Sequence, residues 1–310
     1  VMEISSHALD QHRVDNVEVD IAIFSNLTPE HLDFHGDMEN YFKSKLQLFQ
    51  TLAVDKTAVI NFDDPYAKRI CSSISAQVTT YGMNKKADLH PVQAEFTIHG
   101  IKAQLQFREH IISIDSLLLG EYNLSNIMAG VAAALSMGVS ISQIENAVKN
   151  MPPIPGRMEL ISCDCPGKVF VDYAHSPDAY EKLFSSLSSL TAGEVKLLTV
   201  FGCGGNRDSG KRSEMAKISE KYSAFSFITM DNPRNEDVEN INADIIRGFS
   251  GYDFTVIPDR KEAITTALKK MAENSILLIL GKGQENYQEI GSVKIPYSDI
   301  EVIAAYSNES

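Results

Sequence analysis

Lys196-Leu-Leu-Thr-Val-Phe-Gly-Cys-Gly-Gly-Asn-Arg-Asp-Ser-Gly-Lys-Arg212 begins as an apolar strand, Lys196–Gly202, breaks into a glycine-rich loop, and leads into a helical pattern at Ser213–Tyr222. Strand, loop and helix in that order form half of a βαβ unit, and the same rhythm continues on both sides. Upstream, Lys168–Asp172 reads as a strand and Asp178–Leu190 as a helix. Downstream come a strand at Phe225–Met230, helices at 237–248 and 261–274, and a fully apolar strand at Ile276–Leu280. This alternation predicts an α/β fold with a mainly parallel sheet and helices on both faces.

Towards the N-terminus the pattern stops at Asn150-Met-Pro-Pro-Ile-Pro-Gly-Arg-Met158, where three prolines and a glycine forbid regular structure. A domain boundary is placed there, dividing the chain into 1–152 and 153–310. Before it, Val19–Phe24 and Thr57–Asn61 read as short buried strands and 39–52 as a helix. Residues 92–115 alternate as antiparallel strands do, 123–137 are Ala-rich and helical, and Ser142–Asn150 is a further helix with Ser142 as its N-cap.

A chain of 310 residues, 44% hydrophobic and 22% charged, fits two globular domains. Lys plus Arg is 28 and Asp plus Glu is 41, a net charge of −13, which argues against a general nucleic-acid binder while leaving room for local basic pockets. No run approaches the roughly 20 apolar residues of a membrane span, and no signal peptide opens the chain. Cys71, Cys163, Cys165 and Cys203 form no CxxC pair, so reduced thiols are expected. The start at Val1-Met-Glu-Ile falls in mid-pattern, as if cut from something longer.

On an ideal helix of about 100° per residue, Tyr41, Phe42, Leu46, Leu48, Phe49 and Leu52 share one face. Glu39, Asn40, Lys43, Ser44, Gln47, Gln50 and Thr51 take the other. Lys45 falls in the apolar stripe, where an unpaired ammonium is costly. Either it snorkels out or pairs with an acid, or it is a reactive lysine beside a metal or phosphate site. As a neutral amine it could take up carbon dioxide and become an anionic carbamate. Just upstream, His31 and His35 are four apart, a spacing that places two imidazoles on one helical face; a polar loop is the plainer reading, and a Mg²⁺ site the alternative. Glu3 follows an apolar start, as metal-orienting carboxylates of nucleotide-hydrolysing enzymes do.

Three loops end predicted strands, the edge where open α/β sheets bind ligands. The first carries Arg207, Lys211 and Arg212 beside exposed backbone N–H groups and suits a carboxylate or phosphate. Asp231-Asn-Pro-Arg234 sets opposite charges side by side, a grip for a zwitterion, or else a capped turn. Gly281-Lys-Gly-Gln-Glu285 closes the last buried strand. A dinucleotide fingerprint would need glycine where Arg207 stands, so a nicotinamide-dependent oxidoreductase ranks low.

Eight segments resemble the Mur ligases in the family's order along the whole chain. They are Met2-Glu-Ile-Ser-Ser-His-Ala-Leu9, Asn26-Leu-Thr-Pro-Glu-His-Leu-Asp-Phe-His-Gly36, Gly120-Glu-Tyr-Asn-Leu-Ser-Asn126, Pro155-Gly-Arg-Met-Glu159, Val171-Asp-Tyr-Ala-His-Ser-Pro-Asp178, Phe201-Gly-Cys-Gly-Gly-Asn-Arg-Asp208, Asp231-Asn-Pro-Arg234 and Gly281-Lys-Gly-Gln-Glu285. The resemblance implies the C-terminal part of a central ATPase domain over 1–152, without its P-loop. A Rossmann-like, amino-acid-binding domain follows over 153–310. The implied chemistry is ATP-dependent phosphorylation of the D-Glu γ-carboxylate of UDP-MurNAc-L-Ala-D-Glu. The amine of meso-diaminopimelate then attacks the acyl phosphate to form an amide. The expected setting is a monomer working on small molecules in cytoplasmic peptidoglycan synthesis.

Roles follow by position. Lys45, as a CO2-derived carbamate, Glu3 and His31 match Mg²⁺-binding and catalytic positions. Ser5, Gln11 and Arg13 match contacts to the UDP-muramoyl dipeptide. Asn123, Arg157 and Asp172 match ATP-handling positions, and Arg207, Asp231, Asn232, Pro233, Arg234, Gly281 and Glu285 match the diaminopimelate site. Members that add L-Lys lack the Asp-Asn-Pro-Arg form, which favours diaminopimelate over an L-Lys-adding relative. Two departures stand out. Gln284 replaces the usual His, and no G-x-x-x-x-G-K-[ST] occurs anywhere in the chain. Without a P-loop, a non-catalytic substrate-binding module is the competing reading.

Overall fold

A computed structural model describes residues 1–29, 31–191 and 195–309, apart from the side chains of Asp33 and Glu309. The chain divides into two compact units: Val1–Leu117 with Glu121–Met151, and Leu118–Gly120 with the residues from Pro152 onward.

The first unit runs α1 (Ser6–Asp10), β1 (Ile21–Phe24), α2 (Leu32–His35), α3 (Met38–Gln50), β2 (Thr57–Asn61), α4 (Ala67–Ser72), β3 (Gln77–Tyr81), β4 (Leu89–Thr97), β5 (Gly100–Phe107), β6 (His110–Ser116), α5 (Glu121–Ser136) and α6 (Ile141–Lys149). Its strands pair in chain order from β1 to β6, parallel as far as β4 and antiparallel beyond it. Ala58, Val59 and Ile60 of β2 are all inaccessible, as a strand covered on both faces requires. In β5 buried Ala103 and Leu105 alternate with exposed Lys102 and Gln104, so that part of the sheet keeps one wet face. Leu124, Met128 and Ala132 recur every fourth residue along α5 and are fully buried.

Tyr41, Phe42, Leu46 and Phe49 of α3 join Phe24, Ile60 and Ile70 in one core. Ser44 departs from its expected wet face. It is buried because α1 lies over it, and its hydroxyl donates to the Ser6 carbonyl at 3.0 Å. The cap of α6 also differs. Ser140, not Ser142, precedes the helix, and its N–H donates to the Gln143 side chain at 3.2 Å in a capping box.

The second unit comprises β7 (Glu159–Ile161), β8 (Lys168–Asp172), α7 (Pro177–Thr191), β9 (Lys196–Phe201), α8 (Gly210–Tyr222), β10 (Phe225–Ile228), α9 (Val238–Ile246), β11 (Phe254–Val256), α10 (Arg260–Lys269), β12 (Ser275–Leu280), β13 (Tyr287–Ile290), β14 (Val293–Pro296) and α11 (Asp299–Glu309). The sheet order is β11-β10-β9-β12-β8-β7, parallel except for edge strand β7, and β13–β14 form a separate antiparallel hairpin. Every residue of β12 is buried, which suits its place inside the sheet. Ala263, Ile264, Ala267 and Leu268 of α10 pack on Val169, Leu277 and Ile279. This helix ends at Lys269, short of the expected 274, because the Ala272 N–H and carbonyl bond the Ser275 hydroxyl at 3.0 and 2.7 Å and turn the chain into β12.

Two buried arginines fix the loops at the sheet's C-terminal edge. Arg260 is 1% exposed and forms a fork with both Asp299 oxygens at 2.8 Å, while also donating to the Leu280 carbonyl at 2.9 Å. Arg212 is wholly buried. It bonds Glu236 at 2.6 and 2.7 Å, Asp244 at 2.9 Å and the Gly204 carbonyl at 3.2 Å. The sequence placed Arg212 with Arg207 among the ligand-facing bases; instead it pins the glycine-rich loop from beneath.

Removing one partner of a buried pair strands a charge, so Asp299→Asn should cost about 3–5 kcal/mol in a urea melt followed by circular dichroism. The joint change Arg260→Met/Asp299→Leu should cost less; a larger loss would contradict this account. The Arg212 guanidinium also holds the Glu236 carboxyl down at about 2. A depressed folded-state pKa stabilises fully above the ordinary value of 4.5 and is lost as pH falls towards about 2. Glu236→Gln should therefore flatten the pH dependence of the melting temperature across that acid window and leave its slope near neutrality unchanged.

Candidate functional site

In the first unit the predicted residues gather after the C-terminal end of β1 and around α1. Residues 1–5 carry no regular structure, and Glu3 is exposed. Ser5 caps α1, its hydroxyl accepting from the Ala8 N–H at 3.1 Å. Lys45 projects from α3 half-buried, its ammonium donating to the Ile4 carbonyl at 3.5 Å and lying 5.9 Å from the Tyr41 ring. That carbonyl is one of the contacts by which the helix accommodates a cation in its apolar stripe. His31 is exposed and meets His7 edge-on at 4.8 Å and Tyr41 at 6.3 Å. Tyr41 and Ile4 thus tie His31, Lys45 and the Glu3 segment into one cluster.

His31 and His35 do not share a helical face. Only residues 32–35 are helical, and His31 sits before them in the left-handed region at φ 58°. His35 is buried. Its Nε2 lies 2.9 Å from the Ser6 hydroxyl and its Nδ1 3.4 Å from Asp10, and its ring stacks on Tyr41 at 5.0 Å. Among the described residues, no three His, Cys, Asp or Glu side chains form a group able to hold a metal. Gln11 ends α1 and Arg13 follows it, both exposed. Asn123 lies buried in the first turn of α5, its carbonyl oxygen accepting from the Asn126 amide at 3.3 Å.

In the second unit the C-terminal ends of β8, β9, β10 and β12 supply the predicted residues. Asp172 ends β8, and both its oxygens take backbone N–H groups, from Met158 at 2.6 Å and Ala174 at 2.7 Å. Burial pushes this carboxyl above its ordinary range, and those N–H groups oppose the rise. Asp172 therefore pins the turn that presents Arg157, which is exposed with its guanidinium 4.9 Å from the Tyr173 ring. Arg207 stands exposed in the loop after β9. In the same loop the Lys211 ammonium donates to the His175 carbonyl at 2.8 Å.

The loops after β10 and β12 interlock. Asp231, Asn232 and Pro233 are buried. Arg234 is half-buried, its Nε donating to Glu289 at 3.0 Å and its Nη1 to the Gly205 carbonyl at 2.9 Å. Asp231 and Arg234 were expected to grip a zwitterion side by side, yet each faces a different partner, Lys282 and Glu289. Gly281 has φ +108°, and a Cβ there would lie 2.5 Å from the Asp231 carboxylate, so glycine is required. Glu285 Oε2 accepts from Asn232 Nδ2 at 2.9 Å. Burial raises the Asp231 carboxyl, with Arg260 and Lys282 pulling the other way.

Lys282 received no role from sequence, yet it is wholly buried at the centre of this cluster. Its Nζ is 3.0 Å from Asn232 Oδ1, 3.0 Å from Glu285 Oε2 and 3.7 Å from Asp231 Oδ1. The available signal was a lysine between two glycines directly after an all-apolar strand, where the chain has freedom to turn inward. His7, to which the sequence likewise assigns no role, packs at a tilt against the Phe34 ring at 4.2 Å.

The family model of the Mur ligase middle domain matches residues 1–134, and that of the Mur ligase glutamate ligase domain matches residues 156–283. The UDP-N-acetylmuramoyl-L-alanyl-D-glutamate–2,6-diaminopimelate ligase of Geobacter metallireducens is 40% identical, over 100% of this chain and 65% of its own length. Its counterpart from Gloeobacter violaceus is 42% identical, over 97% and 61%. A solved structure of a ligase with the same name aligns with a TM-score of 0.66 at 34% identity, over 99% of this chain and 63% of that one. The chain therefore spans less than two thirds of the length of these relatives.

Proposed function

The chain belongs to the Mur ligase family, and from that premise we propose that it supplies the acyl-transfer and amino-acid-binding parts of an ATP-dependent ligase. In this reading meso-diaminopimelate is joined to the D-Glu γ-carboxyl of UDP-MurNAc-L-Ala-D-Glu through an acyl phosphate, in cytoplasmic peptidoglycan precursor synthesis by a monomer. Among the described residues no helix is long and apolar enough to cross a membrane. The observation that carries the reading is the interlock of Asp231, Asn232, Arg234, Gly281 and Glu285 at one sheet edge, together with the shared name of the relatives.

Residues 1–152 take the central ATP-binding role, and 153–310 the amino-acid role with Arg157 and Asp172 as nucleotide contacts. Glu3, His31 and Lys45 act at the phosphoryl-transfer centre, and Ser5, Gln11 and Arg13 face the UDP-muramoyl dipeptide. Asn123, Arg157 and Asp172 handle the nucleotide. Arg207, Asp231, Asn232, Pro233, Arg234, Gly281 and Glu285 receive diaminopimelate.

The donor set bears on Mg²⁺. An ammonium is no ligand, and Glu3 and His31 alone give two donors. The set fits the ion when Lys45 carries a carbamate, which supplies anionic oxygens in place of a positive charge. A bound Mg²⁺ would offset negative charge on the phosphoryl oxygens. The chain's own contribution is to hold Lys45 through Tyr41 and Ile4 and to fix the attacking amino acid through the second-unit cluster. Lacking a P-loop motif, this 310-residue chain taken alone acts as a binding module.

The full translation product of the gene should form the amide with meso-diaminopimelate in preference to L-Lys, measured by ADP release. The 310-residue chain alone should show negligible turnover. Robust turnover with L-Lys and none with diaminopimelate would refute the substrate assignment. Lys45→Ala should abolish activity, with partial recovery on adding short carboxylic acids. In ¹³C-bicarbonate, wild-type protein should give a carbamate resonance that Lys45→Ala lacks; its absence from active wild type would remove the carbamate.

A further inference from the structure

We propose that Lys282 is a positioning residue that sets the amino-acid specificity of the second-unit site; this rests on reading that cluster as the diaminopimelate site. Lys282 is wholly buried, so it does not meet substrate itself. It acts through the groups that do. Its ammonium and the Asn232 amide both donate to one atom, Glu285 Oε2, at 3.0 and 2.9 Å. Among the described residues these bonds load Oε2, and Glu285 Oε1 is the oxygen left to face a ligand. Asn232 is held in turn: its Oδ1 takes the Lys282 ammonium at 3.0 Å and the Glu289 N–H at 2.9 Å. This fixes which end of the amide points at Glu285, so the donor end cannot flip away.

The turn itself is built for this. Gly281 at φ +108° and Gly283 at φ +52° let the chain fold back, and the Glu285 N–H closes on the Lys282 carbonyl at 2.9 Å. The ammonium thereby returns to its own i+3 carboxylate. Charge completes the case. Asp231 and Glu285 contribute two negatives and Lys282 one positive, leaving one uncompensated negative charge. A site that keeps one negative charge under a fixed carboxylate oxygen favours amino acids with a second ammonium, meso-diaminopimelate and L-Lys alike, over those with a neutral or acidic side chain. Without Lys282, Asp231 and Glu285 would lose the cation between them and Glu285 would keep only its bond from Asn232.

The test uses the full gene product in steady state with meso-diaminopimelate, L-Lys and ATP varied separately. Lys282→Met should raise the KM for diaminopimelate about 10- to 100-fold, the scale of a lost hydrogen bond to a charged group. The kcat and the KM for ATP should stay within about twofold, since the residue touches neither reacting atoms nor nucleotide. Lys282→Arg keeps the charge in a planar fork that fits the three acceptors less well, and should raise the same KM by a smaller factor. If Lys282→Met gives no cooperative thermal melt, Lys282→Arg decides. An unchanged diaminopimelate KM in the deciding variant, or an equal rise in every KM, overturns the proposal. Wild type that uses neither amino acid overturns the site reading, and this inference with it.

Discussion

Arg260 bridges two strand ends from below. Its guanidinium reaches the Leu280 carbonyl at the end of β12 and the Met230 carbonyl beyond β10, and Asp299 at the start of α11 neutralises it with both oxygens. A buried cation tolerates no loose partner, because each lost contact exposes the desolvation cost of the charge. The two loops that leave those strands, at 231–234 and 281–285, therefore start from points that are fixed relative to each other. Lys282, equally buried, repeats the arrangement within the loop that follows β12. The partly buried Arg234 and Glu285 are oriented by their own bonds, Arg234 to Glu289 and the Gly205 carbonyl, Glu285 to Lys282 and Asn232.

The first unit reaches order by a different route. Its candidate residues stand on backbone features: an N-cap at Ser5, a left-handed residue at His31 and a lysine resting on a main-chain carbonyl. Such a surface is set by local conformation and by the aromatic group of Tyr41, Phe34 and the histidines.

Much of the sheet framework was legible because it is written in one-dimensional signals. Thr57–Asn61 and Lys168–Asp172 are short apolar runs flanked by polar residues, and they form strands at those limits. Gln77–Tyr81 was overlooked, since Gln-Val-Thr-Thr-Tyr is only half apolar and lies near the parallel-to-antiparallel transition of its sheet. The β13–β14 hairpin carries largely exposed apolar residues and so lacks an alternating pattern. The loops of the candidate site were legible from residue type and position. The roles of Ser44, Arg212 and Lys282 were not, because each depends on which element lies opposite, and periodicity is silent about that. A serine on a wet face and a serine under a helix have the same local sequence.

The strand order carries a consequence for biogenesis. β8 and β9 are successive in the chain yet do not touch in the sheet; β12 lies between them and pairs with both. While the ribosome is still making the helices that precede residue 275, the inner edges of β8 and β9 have no strand to pair with. The sheet cannot close on its N-terminal part alone, and long-range parallel pairing of this kind forms slowly. The same late segment brings Gly281, Lys282 and Glu285, so closure of the sheet and completion of the proposed amino-acid site are one event. A nascent or truncated product ending before β12 offers an aggregation-prone edge and no site, which makes release of the finished C-terminus the step that commits this unit to its native state.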